Sequence, residues 1–315
     1  MSLHVIVGAG PVGTALAHLL ADEGHDVRVV TRSGRGPDRP GVTRVQADAA
    51  DPASLTAQAR GAVALYNCAN PRSYTSWEEH WPPLAASILQ AAETTGAVLA
   101  ITGNLYGYGP VPGPITRDLP LAATDHKGRL RARMWADAMA RQRAGSVRVT
   151  KVRASDYVGA IEPMNSMAML YASQAVRGRP VLTFGPPDVR HTFTYVPDVA
   201  RTLAAVAVDE RAWGEAWHVP SPPTRTVREV VADVASAAGA RRVRMLRVPR
   251  PLLRMTYPFV PLMREIGELL YQWDRPYVLD AAETTDVFGV EATPWEEVVT
   301  ETAAALTGRA TAAAR

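Results

Sequence analysis

Short apolar runs alternate with amphipathic stretches through the first half of the chain, and their periods differ. The runs 3-LHVIV-7, 26-DVRVV-30, 62-AVALYN-67, 97-AVLAIT-102 and 147-VRVTKVR-153 are rich in β-branched residues. That pattern predicts strands. Between them, near 11–23, 77–95 and 126–143, apolar residues recur at three- and four-residue spacing. That spacing predicts helices, and strand–helix alternation of this kind predicts an α/β fold on a parallel sheet. Beyond about residue 157 the alternation loosens and prolines and aromatics rise, as in 183-TFGPPDVRHTFTYVPD-198 and 270-LYQWDRPYVLD-280. The expected organisation is a first unit at 1–157, onto which 193–220 folds back. A smaller C-terminal lobe takes 158–192 and 221–308, and 309-RATAAAR-315 is a frayed tail.

Composition narrows the class. With 47% hydrophobic and 21% charged residues over 315 positions, the chain has the balance of a soluble globular protein able to bury a large core. The net charge is +3, and no run of five basic residues occurs, which argues against a nucleic-acid partner. A single cysteine, Cys68, excludes an internal disulfide and fits a reducing cytoplasm. The sequence runs straight into a strand from its first residues, and no cleavable leader is expected. No apolar run reaches the ~18 residues that would predict a membrane span. The most apolar late stretch, 251-PLLRMTYPFVPLM-263, is broken by Arg254 and three prolines. The expectation is a cytoplasmic protein with no membrane contact.

The first strand leads into 8-GAGPVG-13 and then a helix. This G-x-G-x-x-G stands in the context its chemistry needs: a strand before it, a helix opening from it and a second strand after it. Gly8 would allow the tight turn, Gly10 the approach of a pyrophosphate, and Gly13 the packing of helix on sheet. Pro11 and Val12 complete the cradle, where the helix N-terminus offers N–H groups and a positive dipole to phosphates. The second strand ends in 29-VVTRSGR-35, without the carboxylate that holds the ribose hydroxyls of NAD. Arg32, with Thr31, Ser33 or Arg35, suits a 2′-phosphate instead. NADP(H) is therefore the favoured cofactor and NAD(H) the alternative.

With these residues the chain resembles the extended short-chain dehydrogenase/reductase superfamily, the NAD-dependent epimerase/dehydratase group, over nearly its whole length. The resemblance rests on 8-GAGPVG-13, 47-ADAAD-51, 65-LYNCANP-71, 101-ITGNLYGYG-109, 153-RASDYVG-159 and 190-RHTFTYVPDVA-200. It implies a Rossmann-type doubly wound parallel sheet with the smaller lobe over it. It further implies that Asp48 and Ala49 border the adenine, and that Cys68, Ala69 and Asn70 line the cofactor. Thr102 takes the place of the active-site Ser/Thr, and Tyr106 that of the tyrosine in the family's turn after it. The glycine loop is one residue shorter than the family's usual form.

The departure that matters is in the catalytic pair. The family's Tyr-x-x-x-Lys would fall on 127-KGRLR-131, so Lys127 stands where the tyrosine should be and Arg131 where the lysine should be. No Tyr-x-x-x-Lys occurs anywhere in the chain, whose 34 basic residues include only two lysines, Lys127 and Lys151. The i, i+4 spacing keeps both side chains on one helical face. Lys127 is expected to donate a proton to a carbonyl or imine, with Arg131 tuning it and holding the ribose. Schiff-base formation, cofactor anchoring and plain solvation are the alternatives. Tyr106, Tyr108 and His126 are the substitutes for the missing phenol.

Substrate-facing candidates are Tyr74, Asn104, Tyr157 and Arg190, joined by Arg72, Trp77, Asn165 and His191. No metal site is expected, since the seven histidines are dispersed. The resemblance implies a homodimer joined through this helix and the one before it. The stripe Leu130, Met134 and Ala138, with Trp135 and Met139 beside it, fits that expectation, although packing within one chain explains the same stripe. The reading that results is an NADP(H)-dependent oxidoreductase acting on a small organic carbonyl or imine. Its rivals are a sugar-nucleotide epimerase or dehydratase (or a non-redox isomerase or lyase) and a catalytically silent NADP-sensing protein.

Overall fold

In the computed structural model, which describes residues 1–71, 73–240 and 243–308, the chain begins β1 (Leu3–Val7), α1 (Pro11–Asp22), β2 (Asp26–Thr31), β3 (Val42–Gln46), α2 (Pro52–Ala59) and β4 (Ala62–Asn67). It continues α3 (Trp77–Thr95), β5 (Val98–Asn104), α4 (His126–Arg143), β6 (Val149–Ala154) and β7 (Asp156–Val158). Then come α5 (Met167–Val176), β8 (Val181–Thr183), β9 (Arg190–His191), β10 (Phe193–Tyr195), α6 (Val196–Val208) and β11 (Ala216–His218). β12 (Arg225–Thr226), α7 (Val227–Ala237), β13 (Met245–Arg247), α8 (Arg250–Met255) and α9 (Pro261–Glu268) lead into the C-terminal helices. The expected tail at 309–315 and the candidate Arg72 lie outside the described residues.

Seven strands form one parallel sheet in the order β11-β6-β5-β4-β1-β2-β3. The order follows from the side chains. Ile6, Val29, Ala64, Ala100 and Val152 point to one face, where Leu16 and Leu20 of α1 and Val199 and Leu203 of α6 cover them. Val5, Val7, Leu65, Leu99 and Val149 point to the other, under Leu55 of α2, Ile88 and Ala92 of α3 and Ala138 of α4. A sheet buried on both faces explains why its inner strands read as continuous apolar runs. The chain leaves β1 toward β2 and β3, then returns beside β1 as β4. That reversal opens a crevice at the C-terminal ends of β1 and β4, where open α/β sheets bind ligands.

The expected stripe on α4 is spent inside the chain. Leu130 packs with Trp77 and Trp81, Met134 lies beside them, and Trp135, Ala138 and Met139 join the sheet-facing core.

Beyond the sheet, β10 pairs with β7, β12 with β9, and β13 with β8. At the end of β11 the buried His218 approaches the Asp280 carbonyl at 2.8 Å through Nδ1 and the Tyr108 hydroxyl at 2.7 Å through Nε2. Burial pushes its pKa down from the usual 6.5 to about 4. The unfolded chain takes up a proton below pH 6.5 that the folded chain refuses until pH 4. Stability is therefore expected to fall as pH drops through that window, by roughly 3 kcal/mol from this residue. Urea midpoints at pH 7, 5.5 and 4.5 check it. His218→Gln should show a shallower decline, and parallel slopes would reassign the acid sensitivity.

Candidate cofactor and active site

The crevice is floored by the glycine loop. Gly8 has φ +100°, and a Cβ there would lie 2.9 Å from the backbone of Cys68 and Ala69. A Cβ on Gly13 would lie 2.1 Å from the Gly8 carbonyl oxygen, so helix and turn close on each other only with glycine. A Cβ on Gly10 would meet nothing within 4 Å; the turn is open on that side. No side chain caps α1, and Pro11 brings no N–H of its own. The N–H groups of Val12 and Gly13 thus have no partner within the helix. An open turn facing an uncapped helix N-terminus fits a dinucleotide pyrophosphate.

At the end of β2, Thr31 donates to the Arg35 carbonyl at 2.8 Å and Ser33 Oγ accepts from the Arg35 N–H at 3.4 Å. These bonds shape the turn that leaves Arg32 exposed, and Arg32 has no ion-pair partner among the described residues. Asp48 accepts from the Ala50 N–H at 3.0 Å, so its side chain sets the turn beside the buried Ala49. At the end of β4, Cys68 is tied through its N–H to Val7, Ala69 bonds the Asn67 side chain, and Asn70 is exposed.

Thr102, near the end of β5, donates to Cys68 Sγ at 3.5 Å, and burial pushes the Cys68 thiol up to about 12. An inert, protonated thiol suits a lining role. Arg131 approaches the Thr102 carbonyl at 3.5 Å, with its guanidinium over the rings of Trp81 (4.5 Å) and Trp77 (5.6 Å). Desolvation lowers its pKa to about 10, and its buried Nε finds no partner. Tyr106 and Tyr74 meet hydroxyl to hydroxyl at 3.0 Å. Burial raises the pKa of both, and of Tyr157 nearby, so all three phenols keep their protons at neutral pH.

Lys127 is not presented to this crevice as a free amine. Its side chain is fully buried, its ammonium donates to Glu265 and, at 3.2 Å, to Glu268, and it lies 5.6 Å from the Tyr74 ring. Both carboxylates come from α9. His126, Glu265 and Glu268 bring donor atoms within 4.8 Å of one another. The Lys127 ammonium already supplies positive charge to those carboxylates, and His126 faces Glu78 at 3.3 Å.

Two residues expected to face substrate are engaged elsewhere. Arg190 is exposed and bonds the Thr224 carbonyl and Glu229. On a two-residue strand its side chain and that of His191 take opposite faces. Asn104 accepts from the Tyr106 N–H at 3.3 Å and so fixes that turn. Turned inward, His191 stacks on Trp273 at 4.2 Å, with Nδ1 3.2 Å from the Gln272 carbonyl. Its Nε2 stands 3.2 Å from Asp156 and 3.4 Å from Ser155. Glu265 and Glu268 escaped the sequence reading, and Ser155 and Asp156 stood there only within the motif 153-RASDYVG-159. The i, i+3 glutamates on a helical turn, the first acids after a long basic stretch, were the available signal.

A seven-stranded parallel sheet, a glycine turn at its switch point and a hydroxyl near the end of β5 define a Rossmann-fold dinucleotide-binding enzyme of the short-chain dehydrogenase/reductase class. More narrowly, the chain belongs to the NAD-dependent epimerase/dehydratase family, whose model matches residues 4–219. No curated protein matches the sequence. Among solved structures it is similar to UDP-glucose 4-epimerase of Thermotoga maritima, with 15% identity, TM-score 0.79 and coverage of 98% of this chain and 99% of that one. It is also similar to dTDP-glucose 4,6-dehydratase of Bacillus anthracis in complex with NAD (17%, TM-score 0.79, 98% and 97%). A third is the epimerase Mth375 of Methanothermobacter thermautotrophicus (16%, TM-score 0.80, 98% and 92%). At these identities the likeness establishes the fold.

Proposed function

We propose that the protein is an NADP(H)-dependent oxidoreductase acting on a small organic carbonyl or imine. The observation that carries this reading is the grouping of Thr102 and the Tyr106–Tyr74 hydroxyl pair around Arg131, with Thr102 linked through Cys68 to the glycine turn. When bound, the nicotinamide supplies the hydride. The chain's own residues orient the substrate oxygen and deliver its proton. Thr102 is the hydrogen-bond donor to that oxygen, and Tyr106 is the proton donor, resupplied through Tyr74. Arg131, dehydrated and with a free Nε, holds the ribose edge or the developing negative charge. Lys127 acts through Tyr74, beneath whose ring it supplies a fixed positive charge. This assigns to Tyr106 the proton transfer that position 127 carries in the sequence reading. Geometry motivates the change: the Lys127 ammonium is engaged by two carboxylates.

The exposed, unpaired Arg32 supports NADP(H) over NAD(H). Arg32→Asp is expected to weaken NADPH by about 30- to 100-fold, the range of a lost charge-assisted contact, and NADH by far less. Titration with both cofactors, read by fluorescence transfer from tryptophan to nicotinamide, checks it. Equal weakening would sink the 2′-phosphate assignment. Ketones, enones and imines are then screened for NADPH oxidation, with Tyr106→Phe as the loss-of-turnover control.

A second reading is a sugar-nucleotide epimerase or dehydratase, in which hydride leaves and returns within one turnover. The family match and the sugar-nucleotide enzymes among the structural neighbours favour it. Oxidised cofactor retained through purification, with no net NADPH consumption on any carbonyl, would select it over the first.

A further inference from the structure

Residues 241–264, RRVRMLRVPRPLLRMTYPFVPLMR, hold seven arginines and no acidic residue. The rest of the chain has 27 basic and 31 acidic residues, so the whole net positive charge lies in this one segment. No run of five basic residues marks the segment, and its apolar stretch 251–263 is interrupted by Arg254 and three prolines.

Folding leaves the same segment's apolar side chains in the open. Leu252, Met255, Phe259, Val260 and Leu262 are exposed, Phe259 by 85%. In the strand leading to them, Leu246 pairs across with Leu182, and both are half exposed. Single exposed apolar residues are ordinary, but an apolar cluster rimmed by cations marks an interaction site. The cause is local: Leu253 alone anchors the six-residue α8 inward, and the turn between α8 and α9 contains Pro258 and ends at Pro261. Arg244, Arg247 and Arg254 have no ion-pair partner among the described residues, while Arg250 pairs with Asp274 and Arg264 stands 3.7 Å from Glu265. Between α8 and α9 a recess of about 440 Å³ is lined by Arg250, Arg254 and Arg264 together with Glu268 and Asp274.

We propose that this face docks the protein peripherally on an anionic phospholipid bilayer. Leu252, Met255 and Phe259 enter the boundary between headgroups and acyl chains, and the arginines meet the lipid phosphates. A second copy of the chain fits less well: a two-fold pairing would set arginine against arginine, with no carboxylate in the segment to answer them. Docking of this kind needs no spanning helix, and none of the described helices is long and apolar enough to cross a membrane. It departs from the sequence expectation of no membrane contact.

The test is flotation of the full chain with vesicles of phosphatidylcholine alone and with about 30% phosphatidylglycerol, a fraction that gives a strongly anionic surface. Binding is expected only to the anionic vesicles and should be largely lost in ~0.5 M salt, where surface charges are screened. Met255→Glu/Phe259→Glu and, separately, Arg247→Glu/Arg254→Glu should each reduce the bound fraction about tenfold. Melting temperature and cofactor titration should stay as in wild type, since these side chains lie on the lobe surface. Absence of phosphatidylglycerol-dependent binding at low salt overturns the proposal, as does binding that both variants retain. Self-association without vesicles that Phe259→Glu abolishes would assign the face to a second copy. Capture by a single-stranded polynucleotide but not by vesicles would assign the arginines to nucleic acid.

Discussion

Gly13→Ala should abolish dinucleotide binding and destabilise the fold, whereas Gly10→Ala should impair binding alone. At position 13 the added methyl falls 2.1 Å from the Gly8 carbonyl oxygen and 3.2 Å from the Cys68 Cβ. The closest of these is backbone, which cannot swing aside, so α1 must lift from the turn. Overpacking of this kind costs about 1–3 kcal/mol of stability. The misplaced N–H groups should lower NADPH affinity by roughly a hundredfold or more, equivalent to about 3 kcal/mol. At position 10 the methyl meets nothing in the protein, so the melting temperature should hold while the methyl stands where a pyrophosphate approaches. Melting curves and fluorescence titrations on the two variants separate the effects. Wild-type affinity in Gly10→Ala would mean that no pyrophosphate crosses this turn.

The second large effect is expected at Lys127. Lys127→Met removes a fully buried ammonium and leaves Glu265, itself almost buried, with only the exposed Arg264 at 3.7 Å as a counter-charge. Breaking a buried pair by deleting one partner costs about 3–5 kcal/mol. The lower end applies here because Glu268 is one-third exposed. For a chain of this length that is roughly a 5 °C fall in melting temperature. Adding Glu265→Gln should recover much of it, since an amide carries no charge to strand. NADPH affinity should change little, because the lysine faces the lobe rather than the glycine turn. An unchanged melting temperature with turnover abolished would return Lys127 to direct proton donation.

The sheet was legible because burial on both faces writes strands as apolar runs. The five runs are β1, β2, β4, β5 and β6 to within two residues at either end, and the helices at 77–95 and 126–143 match α3 and α4 at both ends. β3 escaped because it is an edge strand with no fully buried position, and α2 because eight residues with two buried positions carry little periodicity. The glycine turn was readable for a largely local reason: the positive φ of Gly8 and the approach of Gly13 to the Gly8 carbonyl both arise within six positions. The partners of Lys127 were not, because Glu265 is 138 residues away and nothing near position 127 announces it. Arg190 and Asn104 show the converse. Their side-chain types suit a ligand, yet the backbone carbonyl of Thr224 and the N–H of Tyr106 claim them first.

The two-carboxylate grip on Lys127 also limits how this protein can be taken apart. The sheet and its glycine turn look like an exchangeable module, and the family match itself ends at residue 219. A fragment cut there would keep the buried lysine and discard α9, and with it both carboxylates that face the lysine. A chimaera with a foreign lobe inherits the same debt unless it carries glutamates at the positions of 265 and 268 or replaces Lys127 as well. Modularity in this chain is therefore conditional, and the condition is set by one side chain of α4 held by α9.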